Sequence, residues 1–461
     1  MKKFITTLRN IWKIKELRNR ILFTFGMLAV FRFGTFIVLP GVIPSALESA
    51  SQGGSGAPTD LVGLINIFTG GAFANASVFA LGIMPYITAS IIIQLLGFAV
   101  PYFQRLQQKE GESGRRKLNQ ITRLLTVAIT LVQGGGYLAY IKAQGAVSAA
   151  VPGGLFWIAN IIILSAGTIF AMWLGERITD RGIGNGVSLL ITVGIIASLP
   201  GALAFEFTSR LDSGGALLFV LEMAAFFGII MVTILIVQAV RKIPVQFAKR
   251  MVGRGSSSMP QAGRRDYIPL KVNAAGVMPI IFAQALMFLP ATVAQFFAGA
   301  ESDINSSWIM RSLIDPFSAI SSLITFVLVV LFTYVYTALL VNPTQYADYL
   351  KRQNAFIPGI KPGAPTADFI DAITSRITLP GSIFLGLIAI LPAFAVAFGI
   401  NTGFAIFFGG TSLLILVAVV LDTLQQIESH LLMKKYDGLV KSGRIQGRGS
   451  GSKMQGIGAG M

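Results

Sequence analysis

Apolar positions in this chain come in long unbroken runs, not in the alternating pattern of a half-buried strand or the single stripe of a soluble helix. A helix needs about 20 mainly apolar residues to cross the hydrocarbon of a bilayer. Ten runs meet or approach that length: Ile21–Leu39, Ser77–Val100, Ile121–Ile141, Leu155–Gly175, Ile183–Leu199, Gly215–Val240, Ala274–Phe297, Phe317–Leu340, Thr378–Phe398 and Phe404–Ile427. The fifth is the shortest. One stretch resists this division: "NIFTGGAFANASVFALGIMPYITAS", from Asn66 to Ser90, begins with small residues too polar for a span and too apolar for a soluble loop.

Composition agrees with the pattern. Hydrophobic residues make up 54% of the 461 residues and charged ones 12%, with a mean hydropathy of +0.71. A soluble chain of that make-up would expose large apolar patches. The net charge of +17 would suit nucleic acid, but the charges follow the membrane: 33 of the 37 Lys and Arg fall on one side of a ten-span chain. The opposite loops hold Lys142, Arg210 and Arg311, and Arg32 lies within span 1. The positive-inside rule therefore predicts both termini in the cytoplasm, and no direct DNA binding is expected. The basic start leads into a long first span without a small-residue cleavage motif, so no cleaved signal peptide is expected. With no Cys and a single His, His430, neither a thiolate nor a histidine metal site is expected, and no cofactor.

Connectors differ in kind. "ESASQGGSGAPTD", "VGRGSSSMPQAG" and the tail "GRGSGSKMQGIGAGM" read as flexible Gly/Ser segments. The run from Asn342 to Thr378 mixes helical periodicity, aromatics and a Pro/Gly turn signal, and the two large cytoplasmic loops are expected to be ordered protrusions.

Two phrases recur. "GIMPYI" (Gly82–Ile87) returns as "GVMPII" (Gly276–Ile281), and "GVSLLI" (Gly186–Ile191) returns as "GTSLLI" (Gly410–Ile415). Both pairs are offset by five spans. An odd offset implies inverted repeats, an arrangement that places the functional site near the midplane between the halves. The expected division is an amphipathic cytoplasmic segment at 1–20, an N-terminal half at 21–205, a C-terminal half at 206–432 with cytoplasmic loops 241–273 and 341–377, and a tail at 433–461. The echo makes Ile87, Ile281, Ile191 and Ile415 equivalent.

A solute transporter would place ionisable groups at that interface. Here only Arg32, Glu222 and Asp422 come near span interiors, and they read as packing or orienting groups. A secondary transporter built from inverted repeats nevertheless stands as the alternative. Branched aliphatic side chains instead make a poorly wetted constriction that blocks ions and deforms around a passing polypeptide. The small residues around Gly70 and Gly71 then suit a short helix lying against that constriction and able to leave it with little loss of buried area.

At this point several phrases in order, "RFGTFIVLPG", "RITDRGIGNGVSLLI", "VQFAKR", "PLKVNAAGVMPIIF", "NPTQYADYLKRQNAFIPGIKPG" and "FGGTSLLILVAVVLDTLQQIE", resemble the SecY family of bacterial protein-conducting channels. The resemblance runs from about Ile21 to Arg448 and implies an all-α fold of ten transmembrane helices in two inverted five-helix halves around an hourglass pore. It implies a pore ring of Ile83, Ile87, Val187, Ile191, Ile281 and Ile415, with Val187 standing where the family carries Ile. It implies a plug at 61–76, including Asn66, Phe68, Gly70, Gly71, Phe73 and Asn75, and a lateral gate with Thr88, Gln133 and Phe288. The basic loop residues Arg241, Lys242, Lys249, Arg250, Lys271, Lys351, Arg352 and Lys361 resemble a docking surface for the ribosome and the SecA motor, with Lys361 and Lys242 where Arg is usual. Implied partners are SecE and SecG subunits, SecA, the ribosome, signal-bearing polypeptides and membrane lipids.

Enzymatic readings find little support. No G-x-x-x-x-G-K-[ST] loop occurs, so energy must come from a motor, an elongating ribosome or the membrane potential. The two GxSG strings, Gly53–Gly56 and Gly111–Gly114, lie in polar loops, and His430 ends span 10 without a positioned partner.

Overall fold

The computed structural model describes residues 12, 14–44, 47, 66, 69–108, 111–148, 152–212, 215–247, 265–284, 286, 287 and 317–441. In chain order the helices are α1 (Lys15–Gly34), α2 (Met84–Ala99), α3 (Pro101–Gln108), α4 (Gly111–Ala143), α5 (Gly153–Arg181), α6 (Gly186–Asp212), α7 (Ala216–Gln238), α8 (Ala319–Leu340), α9 (Pro343–Arg352), α10 (Ala364–Ala397), the single turn α11 (Thr402–Ala405) and α12 (Gly410–Lys441). Seven of them carry segments long and apolar enough to cross a membrane. The more charged α1, the shorter α2 and the helical residues 278–284 at the start of span 7 complete ten spans.

The helix starts follow local chemistry. Ser318 caps α8, its Oγ accepting from the Ser321 N–H at 3.1 Å. Asn342 caps α9 ahead of Pro343, which occupies a first-turn position where its missing N–H costs nothing. Buried threonines of α4 satisfy themselves: the hydroxyls of Thr122, Thr126 and Thr130 donate to the carbonyls of Leu118, Thr122 and Thr126. With Gly134 they form a smooth stripe that lets neighbouring helices approach.

Helix α10 has 34 residues, about 51 Å at 1.5 Å per residue. That exceeds the roughly 30 Å of hydrocarbon, and its first turns pack instead in a small domain beside the bundle. There β1 (Val240–Phe247) pairs antiparallel with β2 (Arg265–Lys271) and with β3 (Ala355–Phe356), in the order β2-β1-β3. Ile243, Val245, Leu270, Leu350, Ala355, Ile357 and Ile370 form one core, so the described parts of both large loops fold as a single unit.

The internal echo reappears as geometry. Gly82 and Gly276 both take left-handed backbone, φ 53° and 64°, and in each case a helix starts two residues later, at Met84 and Met278. Gly186 and Gly410 are each the first residue of a helix. The halves meet where α12 packs on α6.

On the face opposite the sheet lies an ionic cluster. Glu206, fully buried, accepts from Arg210 Nε at 2.9 Å and from Asn401 Nδ2 at 2.7 Å. Arg210 also bridges Glu222 at 2.7 Å and donates to the Gly399 carbonyl at 2.6 Å. These groups staple the end of α6 to α7 and to the turn after α10, so they tie span 5 of one half to spans 6 and 9 of the other. Glu206→Ala should cost about 1–3 kcal/mol by leaving Arg210 Nε and the Asn401 amide without their buried acceptor, read as a lower unfolding temperature in detergent, and Glu206→Gln should cost less because it keeps an acceptor.

Candidate functional site

Helices α2, α6, α12 and the start of span 7 bring the six ring positions into one apolar cluster. Ile83, Ile191 and Ile415 are buried members, at 5%, 5% and 3% exposure, and Ile87, Val187 and Ile281 pack against them. The cluster draws on both halves. Two glycines make the close approach possible. A Cβ at Gly186 would lie 2.0 Å from the Gly175 carbonyl oxygen, and one at Gly175 would meet Val187 Cγ2 at 3.1 Å and Ile83 Cδ1 at 3.5 Å. Small residues there let α5 and α6 bring their aliphatic neighbours together.

The plug segment touches the same cluster through Ala72. Asn66 is helical, and residues 69–76 form successive turns where the sequence suggests a short helix. Gly70 and Gly71 both take positive φ, 67° and 90°, which interrupts helical propagation. The segment bonds to itself instead: Asn66 Oδ1 accepts from the Ala74 N–H at 2.9 Å, and Thr69 Oγ1 accepts from the Phe73 N–H at 3.2 Å. Asn75 is half-buried, its N–H donating to the Gly71 carbonyl at 3.1 Å. Phe68 lies outside the described residues.

Residues from the channel wall hold this segment: Arg32, which the sequence marks only as a packing or orienting charge in span 1, and Tyr137, to which the sequence does not point. Arg32 of α1 donates to the Gly70 carbonyl, and its guanidinium lies 4.9 Å from the centre of the Phe36 ring. Tyr137 of α4, 4% exposed, donates to the Phe73 carbonyl at 2.7 Å, with the two rings 4.6 Å apart. Gly70 also lies so near α6 that a Cβ there would sit 2.8 Å from Gly194 Cα.

Among the gate positions, the Thr88 hydroxyl donates to the Met84 carbonyl of its own helix at 3.1 Å, and Gln133 is half-buried on α4. Phe288 lies outside the described residues. A mostly apolar cleft marks the seam between halves: Gln94 and Leu95 of α2 face Phe282 of span 7 and Phe332, Val335 and Tyr336 of α8. Within the C-terminal half, Thr411 donates to Gln284 Oε1 at 3.0 Å, joining spans 10 and 7.

Of the basic docking positions, Arg241, Lys242, Lys271, Lys351, Arg352 and Lys361 are all exposed, whereas Lys249 and Arg250 lie outside the described residues. Strand register sorts them. Lys271 is paired with Val240 and Lys242 with Pro269, so both lysines share the outer face, and Arg241 falls on the face of buried Ile243. The Lys361 carbonyl accepts from Thr366 Oγ1 at 2.8 Å, which ties the turn bearing Lys361 to the start of α10.

A SecY family profile matches residues 77–424. The chain belongs to the SecY family. The protein translocase subunit SecY of Chlamydia muridarum is 39% identical over 96% of this chain and all of its own length. The fold matches a solved SecY structure, described as one whose plug domain stabilises the closed state of the translocation channel and maintains a membrane seal, with a TM-score of 0.62 at 19% identity over 92% of this chain and 93% of that one. It also matches Sec61 in the canine ribosome-channel complex from the endoplasmic reticulum, with a TM-score of 0.60 at 18% identity over 92% and 94% of the two chains. These likenesses establish the fold of ten helices in two inverted halves around an hourglass pore.

Proposed function

We propose that this chain is the channel through which unfolded secretory polypeptides cross the membrane, and from which apolar segments leave sideways into lipid. One observation carries the reading: six branched aliphatic residues from both halves gather in one hydrophobic cluster with a small-residue segment against it. Ile83, Ile87, Val187, Ile191, Ile281 and Ile415 form a seal that yields to a polypeptide without leaving polar groups unpaired. Residues 61–76 plug it. Signal segments enter lipid along the seam between α2 and spans 7–8, with Thr88, Gln133 and Phe288 as gate residues, driven by the transfer energies that define a span.

The channel works in the cytoplasmic membrane with both termini in the cytoplasm, on the side of the basic loops. The halves, 21–205 and 206–432, open against each other. Lys242, Lys271, Lys351, Arg352, Lys361 and the neighbouring Arg241, Lys249 and Arg250 dock a ribosome, as its Sec61 relative does, or the SecA motor. Phosphate contacts suit the first and acidic protein surfaces the second. SecE and SecG subunits complete the complex.

The test is protease protection of a secretory precursor in vesicles holding the assembled complex, with motor and ATP. Protection that requires this chain supports the channel. Ion-coupled uptake of a small solute without protection would overturn it in favour of a transporter.

A further inference from the structure

We propose that Arg32 and Tyr137 latch the plug by its main chain, through the carbonyls of Gly70 and Phe73. The inference rests on reading residues 61–76 as the plug and adds what holds it shut. Both donors come from the wall, α1 and α4, and both reach backbone oxygens three residues apart on the plug. Neither contact asks anything of a plug side chain.

The surrounding bonds separate a moving unit from a fixed one. Asn66 and Thr69 tie the plug to itself, so the turns at 69–74 can travel as a preformed piece. Beyond them, the Leu39 N–H donates to the Ala76 carbonyl at 2.8 Å, the Val78 N–H donates to the Ile37 carbonyl at 2.9 Å, and Val38 bridges Ser77. That short ladder anchors the plug to the segment after α1. Release therefore breaks the two wall contacts while the anchor and the internal bonds persist.

The two donors differ in how they oppose release. Arg32 lies inside a span, and among the described residues its ionic partner is the Gly70 carbonyl dipole, not a carboxylate. Charges at such depth are held by carbonyls or by water, so opening must replace the carbonyl by water. Tyr137 is buried, and losing Phe73 leaves a phenolic donor without its acceptor. Because both hydrogen bonds end on main-chain oxygens, the latch itself requires no polar side chain at Gly70 or Phe73, and Gly70 must clear Gly194.

The test measures chloride leak from vesicles holding the assembled complex, comparing wild type with Arg32→Gln, Arg32→Lys, Tyr137→Phe, the double variant Arg32→Gln/Tyr137→Phe and a deletion of 61–76. The expected result is leak raised about tenfold by Arg32→Gln and about fivefold by Tyr137→Phe, following the weights of charged and neutral hydrogen bonds. The double variant should leak more than either, and Arg32→Lys, which keeps a cationic donor, should restore most of the seal. If the deletion leaks while the single and double variants stay at the wild-type level, the latch is overturned and the plug stands. If the deletion itself does not leak, the plug reading fails with it. Should the arginine variants not assemble, Tyr137→Phe, which removes one hydroxyl and keeps the ring contact with Phe73, decides alone.

Discussion

Replacing Ile191 and Ile415 together by asparagine should raise ion conductance across the closed channel by at least about tenfold, the effect of lowering a barrier by roughly 1.4 kcal/mol. Both side chains are buried in the cluster that joins the halves. An ion crossing an aliphatic constriction must shed water without compensation, and that penalty is the barrier. Two amides would hydrate the constriction and offer the ion partners. Replacement by valine, already present at Val187, should leave the seal intact, since the loss of one methylene is absorbed by a soft contact. Ile196 provides the contrast: it is on the same helix, 48% exposed, and outside the cluster, so Ile196→Asn should not change conductance. Planar-bilayer recording checks all of these, and equal behaviour of the Ile196 and Ile191/Ile415 variants would refute the assignment.

Ile243→Asp should abolish translocation driven by the motor or the ribosome while leaving the closed seal unchanged. Ile243 is 2% exposed at the centre of the core shared by the two large loops. A buried carboxylate without a partner belongs to the short list of changes that cost more than about 4 kcal/mol. That core has only seven buried residues to offset the cost. Once it opens, the lysines on the outer face lose their fixed spacing and the docking surface goes with it. The neighbouring Pro244 points outward, so Pro244→Asp should be tolerated. Limited proteolysis of the loops separates the two variants, and bilayer conductance confirms that the pore is untouched.

The spans were legible in the sequence because transfer of about 20 apolar residues dominates every local preference. Their ends were not. The fifth span looked short, yet α6 runs on to Asp212 through Pro200, with Glu206 and Arg210 satisfied by partners on other segments. Span 2 was drawn from Ser77, but residues 78–83 are turns and the helix waits for Met84, because Gly82 takes a left-handed conformation. The ordered loops were foreseen as protrusions. Their sheet was not, since only Ile243 and Val245 of β1 alternate inward, too brief a signal beside Pro244 and two basic residues. Four of the proposed ring positions, Ile87, Ile191, Ile281 and Ile415, could be named from an internal echo, because repeated backbone turns carry repeated glycines, whereas Ile83 and Val187 rest on the family resemblance alone. Arg32 stood out as a charge in span 1 and Tyr137 did not, and the partner of neither could be read, because a donor that binds a main-chain carbonyl requires no complementary residue type in its partner.

The most direct measurement is site-specific photocrosslinking of a secretory chain stalled during translocation, with the probe placed in turn at the six ring positions and at lipid-facing sites of α7 such as Phe227 and Leu235. The account predicts adducts from all of Ile83, Ile87, Val187, Ile191, Ile281 and Ile415 and none from α7. Adducts confined to α7, or absent from the ring while translocation proceeds, would contradict it.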